Sequence, residues 1–246
     1  MVEMARGGGQ RLLRLGDRAL FIGGTGSGKT VAMALMLDRL YGQRQIIVLN
    51  SKDDPVYARW GGLRVTRLRD LRGATWPEIP LAIYTPATAE RRNPAYADAL
   101  CQWIWERRHT VFAVDELRQL APGAIPMPGY ADLLERSRGP RDITVAQGTQ
   151  RPVFIPHSAY SEASVFFVFR LSDRRDRATV AAFAHESIAQ PVRHPHGFWS
   201  YRAGDMAATY WRDIRDLLAA QEDAYTTPGI IAKPTKSAAP SAIGGA

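Results

Sequence analysis

The sequence contains little cysteine, little lysine and no long apolar run. Its 246 residues include one cysteine, Cys101, which excludes an intrachain disulfide framework and a multi-cysteine zinc site. No apolar stretch approaches the roughly 18 residues of a membrane-spanning helix, and the first ten residues lack the apolar core of a signal peptide. The five histidines show no metal-ligating spacing. These absences predict a protein of a reducing compartment with no transmembrane segment of its own.

Lysine is scarce although the chain is basic. Only four of the 32 lysine and arginine residues are lysine, and the formal net charge is +8. A surplus of arginine can reflect a GC-rich coding genome, or a surface that binds phosphate through the forked guanidinium group. Composition alone leaves both explanations open. Hydrophobic residues make up 46% of the chain, which is typical of a globular domain.

Strand-like apolar runs alternate with helical stretches along most of the chain. The strand candidates are residues 19–22, 45–50, 63–66, 81–85, 110–115, 143–148 and 164–170. The helix candidates are residues 28–40, 95–107, 130–136 and 174–185, and after residue 197 we expect a strand followed by a helix over 209–219. This alternation predicts an α/β fold with a mainly parallel sheet and helices on both faces. We expect one domain over 11–225, a flexible arm at 1–10 and a disordered tail at 226–246.

A glycine-rich loop follows the first predicted strand. Residues 23–30 form the motif G-x-x-x-x-G-K-[ST], as Gly23, Gly24, Thr25, Gly26, Ser27, Gly28, Lys29 and Thr30. The glycines let successive N–H groups point at phosphate oxygens, assisted by the positive end of the following helix. Lys29 is expected to reach the β- and γ-phosphates, and the Thr30 hydroxyl to ligate Mg²⁺. The loop therefore predicts a nucleotide site with ATP and Mg²⁺ as cofactors.

A second motif favours hydrolysis over phosphate transfer to an acceptor. Residues 111–116, VFAVDE, are an apolar strand that ends in two carboxylates, the pattern of a Walker B strand. Asp115 is expected to hold Mg²⁺ through water at the carboxyl end of its strand, where parallel sheets bind their ligands. Glu116 is expected to polarise the attacking water as a general base. Such a base favours an ATPase, because a kinase must keep water out.

A strand that ends in Thr-Gln follows the Walker B motif. Residues 147–152 read QGTQRP, and we expect the amide of Gln150 near the γ-phosphate, where a hydrogen bond distinguishes ATP from ADP. Gln147 is a rival for this role as sensor, because Gln147 and Gly148 interrupt the aliphatic strand.

Taken in order, GGTGSGKT, VFAVDE and TQRP resemble the FtsK/HerA superfamily of DNA-pumping ATPases, and within it the packaging ATPases of tailless, membrane-containing viruses. The resemblance covers about residues 15–190 and implies a P-loop fold of the RecA type. TQRP is its most specific element and favours Gln150 as the sensor. Asn50-Ser51-Lys52 stands where the family often has Asp-Pro-Lys, which leaves the role of Lys52 open.

The resemblance also implies a homo-oligomeric ring, a pentamer or hexamer, with ATP bound between subunits and an arginine supplied in trans. Such an arginine stabilises charge on the transferring phosphoryl group. In the family an arginine lies shortly before the sensor strand, and Arg136, Arg138 and Arg141 stand there in this chain. Of the three, Arg138 has the spacing to Gln150 that is closest to the one in the family. A second arginine cluster, residues 174–177, is more typical of a solvated helix face.

A further arginine cluster is a candidate for contact with DNA. It comprises Arg59, Arg64, Arg67, Arg69 and Arg72, with a single acid among them. These side chains could grip the phosphate backbone of DNA without reading its sequence, or form a solvated surface.

The leading hypothesis is an ATP-hydrolysing ring motor that translocates double-stranded DNA and packages a viral genome into a preformed capsid. It implies a location in the host cytoplasm or at a packaging vertex, beside a capsid or membrane protein. The alternatives are an FtsK/HerA-type ATPase of conjugation, plasmid transfer or phage extrusion, a small-molecule kinase, and a nucleotide-gated partition protein.

Overall fold

A nine-stranded sheet is the centre of the fold in the computed structural model, which describes residues 13–75, 79–93, 95–121, 125–137 and 139–220. The strands are β1 (Arg18–Ile22), β2 (Gln45–Leu49), β3 (Leu63–Val65), β4 (Leu81–Tyr84), β5 (Thr110–Val114), β6 (Thr144–Thr149), β7 (Val165–Phe169), β8 (Phe198–Arg202) and β9 (Thr209–Trp211). Their order is β3-β4-β2-β5-β6-β1-β7-β8-β9. All pairs from β3 to β7 are parallel, and β8 and β9 extend the sheet antiparallel.

Helices cover both faces of this sheet. They are α1 (Lys29–Asp38), α2 (Leu68–Gly73), α3 (Thr88–Arg91), α4 (Ala95–Arg107), α5 (Pro128–Glu135), α6 (His157–Ser161), α7 (Arg174–Phe183) and α8 (Ile214–Ala219). One face packs against α1 and α8. The other face packs against α2, α4, α5, α6 and α7. The predicted α/β fold, a mainly parallel sheet between two layers of helices, is confirmed. Among the described residues, no helix is both long and apolar enough to span a bilayer.

The central strands are buried on both sides, which explains why their sequences are largely apolar. Successive side chains of β1 point to opposite faces, so that Ala19 and Phe21 join the core under α1, while Leu20 and Ile22 join the core on the other side. Every residue of β1, β5, β6 and β7 is buried. This layer of buried strands gives the loops at its carboxyl edge a rigid base.

The end of the described chain differs from its prediction. The helix expected over 209–219 is wrong in its first turn, because Thr209–Trp211 form strand β9, paired antiparallel with β8. β-Branched and aromatic residues favour a strand there. The helix begins only at Ile214, where the carboxylate of Asp213 accepts a hydrogen bond from the N–H of Arg215. The predicted arm at 1–10 and the predicted tail at 226–246 lie outside the described residues.

Candidate active site

The predicted site motifs meet at the carboxyl edge of the parallel strands. The glycine-rich loop follows β1, Asp115 and Glu116 follow β5, and Gln150 follows β6. Strand β6 lies between β1 and β5 in the sheet, so the three segments emerge side by side. Asn50, Ser51 and Lys52 follow β2, on the far side of β5. An edge of this kind is where open α/β sheets bind their ligands.

The glycine-rich loop is shaped by close backbone contacts. The N–H of Gly23 donates to the carbonyl of Thr149 at 3.0 Å, which joins the loop to the end of β6. A Cβ atom on Gly23 would lie 2.6 Å from the side chains of Phe169 and Ser27, so a larger residue does not fit there. Gly28 has a φ of 94° and precedes α1. The loop can therefore present its N–H groups and the start of α1 to an anion.

Lys29 and Ser27 fit a phosphate group. Lys29 is 5% exposed, and its Nζ donates to the carbonyl of Asp115 at 3.3 Å. No carboxylate in the described part of the chain forms an ion pair with it. Burial lowers the pKa of Lys29, an effect opposed by the charge of Glu116. The hydroxyl of Ser27 is also buried and has no partner among the described residues. A bound phosphate would satisfy both groups.

Asp115 is fixed by the turn that follows β2. Its Oδ1 accepts hydrogen bonds from the N–H and the hydroxyl of Ser51, at 3.0 and 2.6 Å, and its Oδ2 accepts from the N–H of Lys52 at 3.0 Å. Burial raises the pKa of Asp115, and these hydrogen bonds oppose the shift. The neighbouring β2 turn thus orients the carboxylate.

The donor set fits Mg²⁺ in character. Asp115 offers carboxylate oxygens and Thr30, in the first turn of α1, offers a hydroxyl, and hard oxygen ligands are those that Mg²⁺ prefers. The described residues contain no group of three or more His, Cys, Asp or Glu side chains that could hold a metal. Such a site suits an ion that takes its other ligands from nucleotide phosphates and water.

Glu116 is paired with a lysine. Its Oε2 lies 2.6 Å from Nζ of Lys52, while its Oε1 is buried without a hydrogen-bond partner among the described residues. The Glu116 side chain is 7% exposed and that of Lys52 is 36% exposed. The carboxylate is therefore held at one oxygen, and the other is available to accept a proton from a bound water.

Glu116 and Gln150 line the same cavity. This cavity has a volume of about 410 Å³ and is bordered by Lys52, Glu116, Arg118, Gln119, Gln150 and Arg151. Arg151 is anchored from outside the cavity, because its guanidinium lies 3.1 Å from the buried carboxylate of Asp176 in α7. The Thr-Gln-Arg-Pro segment thus connects the cavity to α7.

Gln147 lies elsewhere. Strand β6 alternates, so Gln147 shares a face with Val145 on the side of α5, and its Oε1 accepts a hydrogen bond from the hydroxyl of Tyr130. Lys29 comes from α1 on the opposite face. This placement supports Gln150 rather than Gln147 as the residue beside the γ-phosphate.

The family of the chain is shown by its sequence. It is 30% identical over 186 residues to the DNA packaging ATPase P9 of Enterobacteria phage PRD1, a match that spans 73% of this chain and 75% of P9. The chain belongs to the family of the DNA packaging ATPase P9. The resemblance to the FtsK/HerA superfamily, and within it to viral packaging ATPases, is thereby confirmed. No protein-family model matches this member of the P9 family.

Solved structures share the fold of this P9-family chain. The genome packaging NTPase B204 of Sulfolobus turreted icosahedral virus 2, in complex with sulfate, superposes with a TM-score of 0.63 at 14% identity, over 82% of this chain and 98% of B204. The conjugation coupling protein TcpA of pCW3 superposes with a TM-score of 0.52 at 16% identity, over 82% of this chain and 64% of TcpA. At these identities the likeness is one of fold.

Gly148 has a steric role that its place in the strand did not suggest. A Cβ atom there would lie 2.5 Å from the carbonyl oxygen of Asp115 and 3.1 Å from Nζ of Lys29. The glycine that interrupts the aliphatic strand therefore lets β6 approach Lys29 and Asp115 closely, where Nζ of Lys29 donates to the carbonyl of Asp115.

Gly148→Ala is accordingly expected to weaken ATP binding by about tenfold, because the added methyl group pushes Lys29 and Asp115 out of place. Titration with a fluorescent ATP analogue measures this effect. Gly73→Ala is the matched control, because a Cβ at Gly73 meets nothing within 4 Å. An unchanged affinity in Gly148→Ala would show that β6 can move away without cost to the site.

The five arginines of the candidate DNA cluster do not share one environment. Arg64 donates to the carbonyls of Tyr57, Ala58 and Trp60, and Arg72 donates to the carbonyl of Ala99. Both therefore have structural roles. Arg69 lies 3.6 Å from Asp70, and Arg59 and Arg67 are exposed. All five arginines are exposed near edge strand β3, and Arg59, Arg67 and Arg69 remain as the candidates for contact with DNA.

Two of the candidate trans arginines, Arg136 and Arg141, precede β6 at the edge of the sheet opposite to the glycine-rich loop. Arg136 pairs with Asp132 at 2.9 Å, and the guanidinium of Arg141 lies 4.3 Å from the ring centre of Trp105. Arg138 lies outside the described residues. Because β6 spans six residues, or about 20 Å, this edge cannot reach the loop of the same chain.

Sequence reasoning missed a histidine beside the loop. A Cβ atom on Gly28 would lie 3.5 Å from Nδ1 of His196, one of the five histidines without metal-ligating spacing. The hydroxyl of Tyr210 in β9 fixes the segment before His196, since it accepts hydrogen bonds from the N–H groups of Arg193 and His194. The pairing of β9 with β8 places Tyr210 beside this segment, so its position depends on tertiary structure and no local sequence pattern identifies it.

Proposed function

We propose that this chain is an ATP-hydrolysing motor that packages double-stranded DNA into a preformed viral capsid. The observation that carries the proposal is that Glu116 and Gln150 line one cavity, next to the edge where Lys29 and Asp115 meet. A general base in this position suits hydrolysis. Membership of the P9 family, whose named member is a DNA packaging ATPase, supports the same activity and the same cargo.

The reaction follows from the chain's own groups. The N–H groups of residues 23–30 cradle the phosphates, and Lys29 neutralises charge on the β- and γ-phosphates. Thr30 and Asp115 would hold Mg²⁺, which when bound supplies positive charge to the phosphate oxygens. Glu116 accepts the proton of the attacking water through a carboxylate oxygen. Gln150 donates its amide N–H to the γ-phosphate, and this hydrogen bond ends after hydrolysis.

A change in the position of Gln150 can be transmitted to the residues that follow it and to the start of α7. Arg151 follows it directly and pairs with Asp176 and Asp173 of the α7 start, at 3.1 and 3.6 Å. Asp176 is almost fully buried, so its hold on Arg151 is firm. The start of α7 is thus a direct route by which loss of the γ-phosphate could move the body of the subunit.

The proposal includes a homo-oligomeric ring, a pentamer or hexamer, with ATP between subunits. Arg136 and Arg141 lie at the opposite edge of the sheet from the glycine-rich loop, and this supports the arrangement, because one subunit can then present an arginine edge to the ATP edge of the next. On this proposal the motor works in the host cytoplasm, docked at a capsid vertex or on a membrane protein there. The likeness to the conjugation coupling protein is one of fold and does not favour conjugation.

Arg59, Arg67 and Arg69, which are exposed, are the DNA-binding groups that the proposal requires. We expect Arg59→Ala combined with Arg67→Ala to weaken binding of double-stranded DNA equally for all sequences. A plot of the logarithm of the binding constant against the logarithm of the salt concentration has a negative slope. Its magnitude should fall by about 0.9 for each phosphate that the variant no longer neutralises. Fluorescence anisotropy with two unrelated duplexes at several salt concentrations measures this. Arg215→Ala, an arginine whose side chain is 85% exposed in α8, is the matched control. A slope that does not change places the DNA elsewhere.

The function itself is tested by the wild-type chain. ATP turnover is measured with and without double-stranded DNA, and directional movement on a long duplex is followed by single-molecule tracking. We expect DNA to stimulate turnover and the protein to move in one direction. A rate of ATP hydrolysis that is the same with and without DNA, together with no movement along the duplex, would contradict the proposed motor and favour a nucleotide-gated binding protein.

A further inference from the structure

Among the described residues at the border of the cavity, Arg118 is a cation without a carboxylate partner. Lys52, Arg118 and Arg151 all border this cavity. Lys52 pairs with Glu116 at 2.6 Å, and Arg151 pairs with Asp176 at 3.1 Å. Arg118 is exposed and forms no ion pair with any residue that the structure describes. Its positive charge is therefore available to attract an anion into the cavity.

An aromatic ring orients the guanidinium of Arg118. This arginine lies in the short 3₁₀ helix Leu117–Gln119, and its guanidinium carbon lies 5.0 Å from the ring centre of Phe154. The guanidinium carbon of Arg151 lies 5.3 Å from the same ring centre, and Phe154 itself is 49% exposed. A guanidinium that contacts a ring through its face keeps its N–H donors, which lie in its plane, able to bind an anion.

The position of the cavity relates it to the product of hydrolysis. Its border includes Glu116 and Gln150 but, among the described residues, none from the glycine-rich loop at 23–30. The cavity therefore lies on the side of the γ-phosphate where water attacks, because the loop holds the phosphates of ATP. The attacking water and the leaving ADP are roughly in line on opposite sides of the phosphorus, so the phosphoryl group moves towards the water as it is transferred. The phosphate product is thus formed at the cavity.

We propose that Arg118 is a phosphate-binding residue, which holds the inorganic phosphate released by hydrolysis in this cavity before it leaves the protein. The fork of a guanidinium suits two oxygens of a tetrahedral phosphate. The inference rests on the proposed function, because it places Glu116 and Gln150 beside the γ-phosphate. It gives the cavity a role after the chemical step: Arg118 sets how long phosphate and ADP stay bound together.

Inhibition of ATP turnover by inorganic phosphate, measured without DNA, tests the proposal. We expect Arg118→Ala to raise the inhibition constant of phosphate about tenfold, because a charge-assisted contact with the anion is lost. The affinities for ADP and for a non-hydrolysable ATP analogue should stay the same. Arg118→Lys should have a smaller effect, since an ammonium group also binds phosphate. Arg215→Ala, which removes an exposed arginine in α8, is the matched control and should leave the constant unchanged.

The timing of phosphate release gives a second readout, which a purely structural role would not change. In a single turnover, quenched flow measures the cleavage of ATP, and a fluorescent phosphate sensor measures the release of phosphate. In the wild type we expect release to lag behind cleavage. In Arg118→Ala we expect the rate constant of release to rise about tenfold at an unchanged rate of cleavage. Phe154→Leu should shorten the lag less, because the guanidinium keeps its charge but loses the ring that orients it.

Several other results would overturn the proposal. An unchanged inhibition constant in Arg118→Ala, or a wild type whose phosphate release coincides with cleavage, would mean that Arg118 holds no phosphate in the cavity. Weaker binding of the ATP analogue at an unchanged affinity for ADP would place Arg118 on the γ-phosphate of intact ATP instead. Equal losses for all ligands, together with a lower Tm, would reduce Arg118 to a structural role. Turnover that DNA does not stimulate contradicts the proposed motor, whereas the phosphate measurements, made without DNA, still decide the role of Arg118.

Discussion

Glu116→Gln is expected to bind ATP normally and to turn it over about 10²–10⁴ times more slowly than the wild type. The amide has nearly the size of the carboxylate but cannot accept the proton of the attacking water. Glu116 is almost completely buried, and one of its oxygens has no partner among the described residues and can accept that proton. Single-turnover hydrolysis, combined with titration of an ATP analogue, separates the loss of chemistry from any loss of binding.

Two further variants serve as controls for this result. Glu186→Gln removes an exposed carboxylate from a short helix far along the chain and should leave turnover unchanged. Lys29→Ala should instead lose ATP binding, because Lys29 is the buried cation of the glycine-rich loop. Normal turnover in Glu116→Gln would remove Glu116 from the reaction and point to a base supplied by another group or subunit.

The parts of the fold with strong local signals were predictable. The seven parallel strands are mostly apolar because the central ones are buried on both faces, and the predicted bounds of all seven agree with the structure to within one residue at each end. The glycine-rich loop and the two carboxylates after β5 are recognisable because phosphate binding needs particular residue types at fixed spacing. Strand β9 was not predictable in this way, since three residues carry little periodicity and the strand depends on its pairing with β8.

Some features of the site could not be predicted from the sequence, because they depend on contacts between segments that are far apart in the chain. Lys52 and Glu116 are 64 residues apart, and they meet only because β2 and β5 are neighbours in the sheet. Gly148 is explained by the carbonyl of Asp115, which lies on the adjacent strand's end. The arginine cluster looks uniform in sequence and all its members are exposed, yet the guanidinium of Arg64 binds three backbone carbonyls, a contact that depends on tertiary structure.

Removal of the arginine that we expect to act in trans should also have a large effect on ATP turnover. Arg136 and Arg141 precede β6 at the amino edge of the sheet, about 20 Å from the carboxyl edge where the glycine-rich loop lies, so in the proposed ring they would face the ATP of another subunit. Arg136 pairs with Asp132, and Arg141 packs on Trp105 and donates to its carbonyl. Both arginines have partners within the chain, which leaves Arg138, outside the described residues, as the favoured candidate.

Arg138→Ala is therefore expected to lower ATP turnover by about 10³–10⁵ with ATP binding retained. Mixed with Lys29→Ala, itself inactive, it should recover turnover, because the intact loop of one chain can then face the intact arginine of the other. The matched control is a mixture with the double variant Lys29→Ala, Arg138→Ala, which offers no arginine and should give no recovery. Turnover is measured across a range of mixing ratios, and a maximum near equal amounts is expected. Recovery with the double variant, or none with either partner, would assign the arginine to another position.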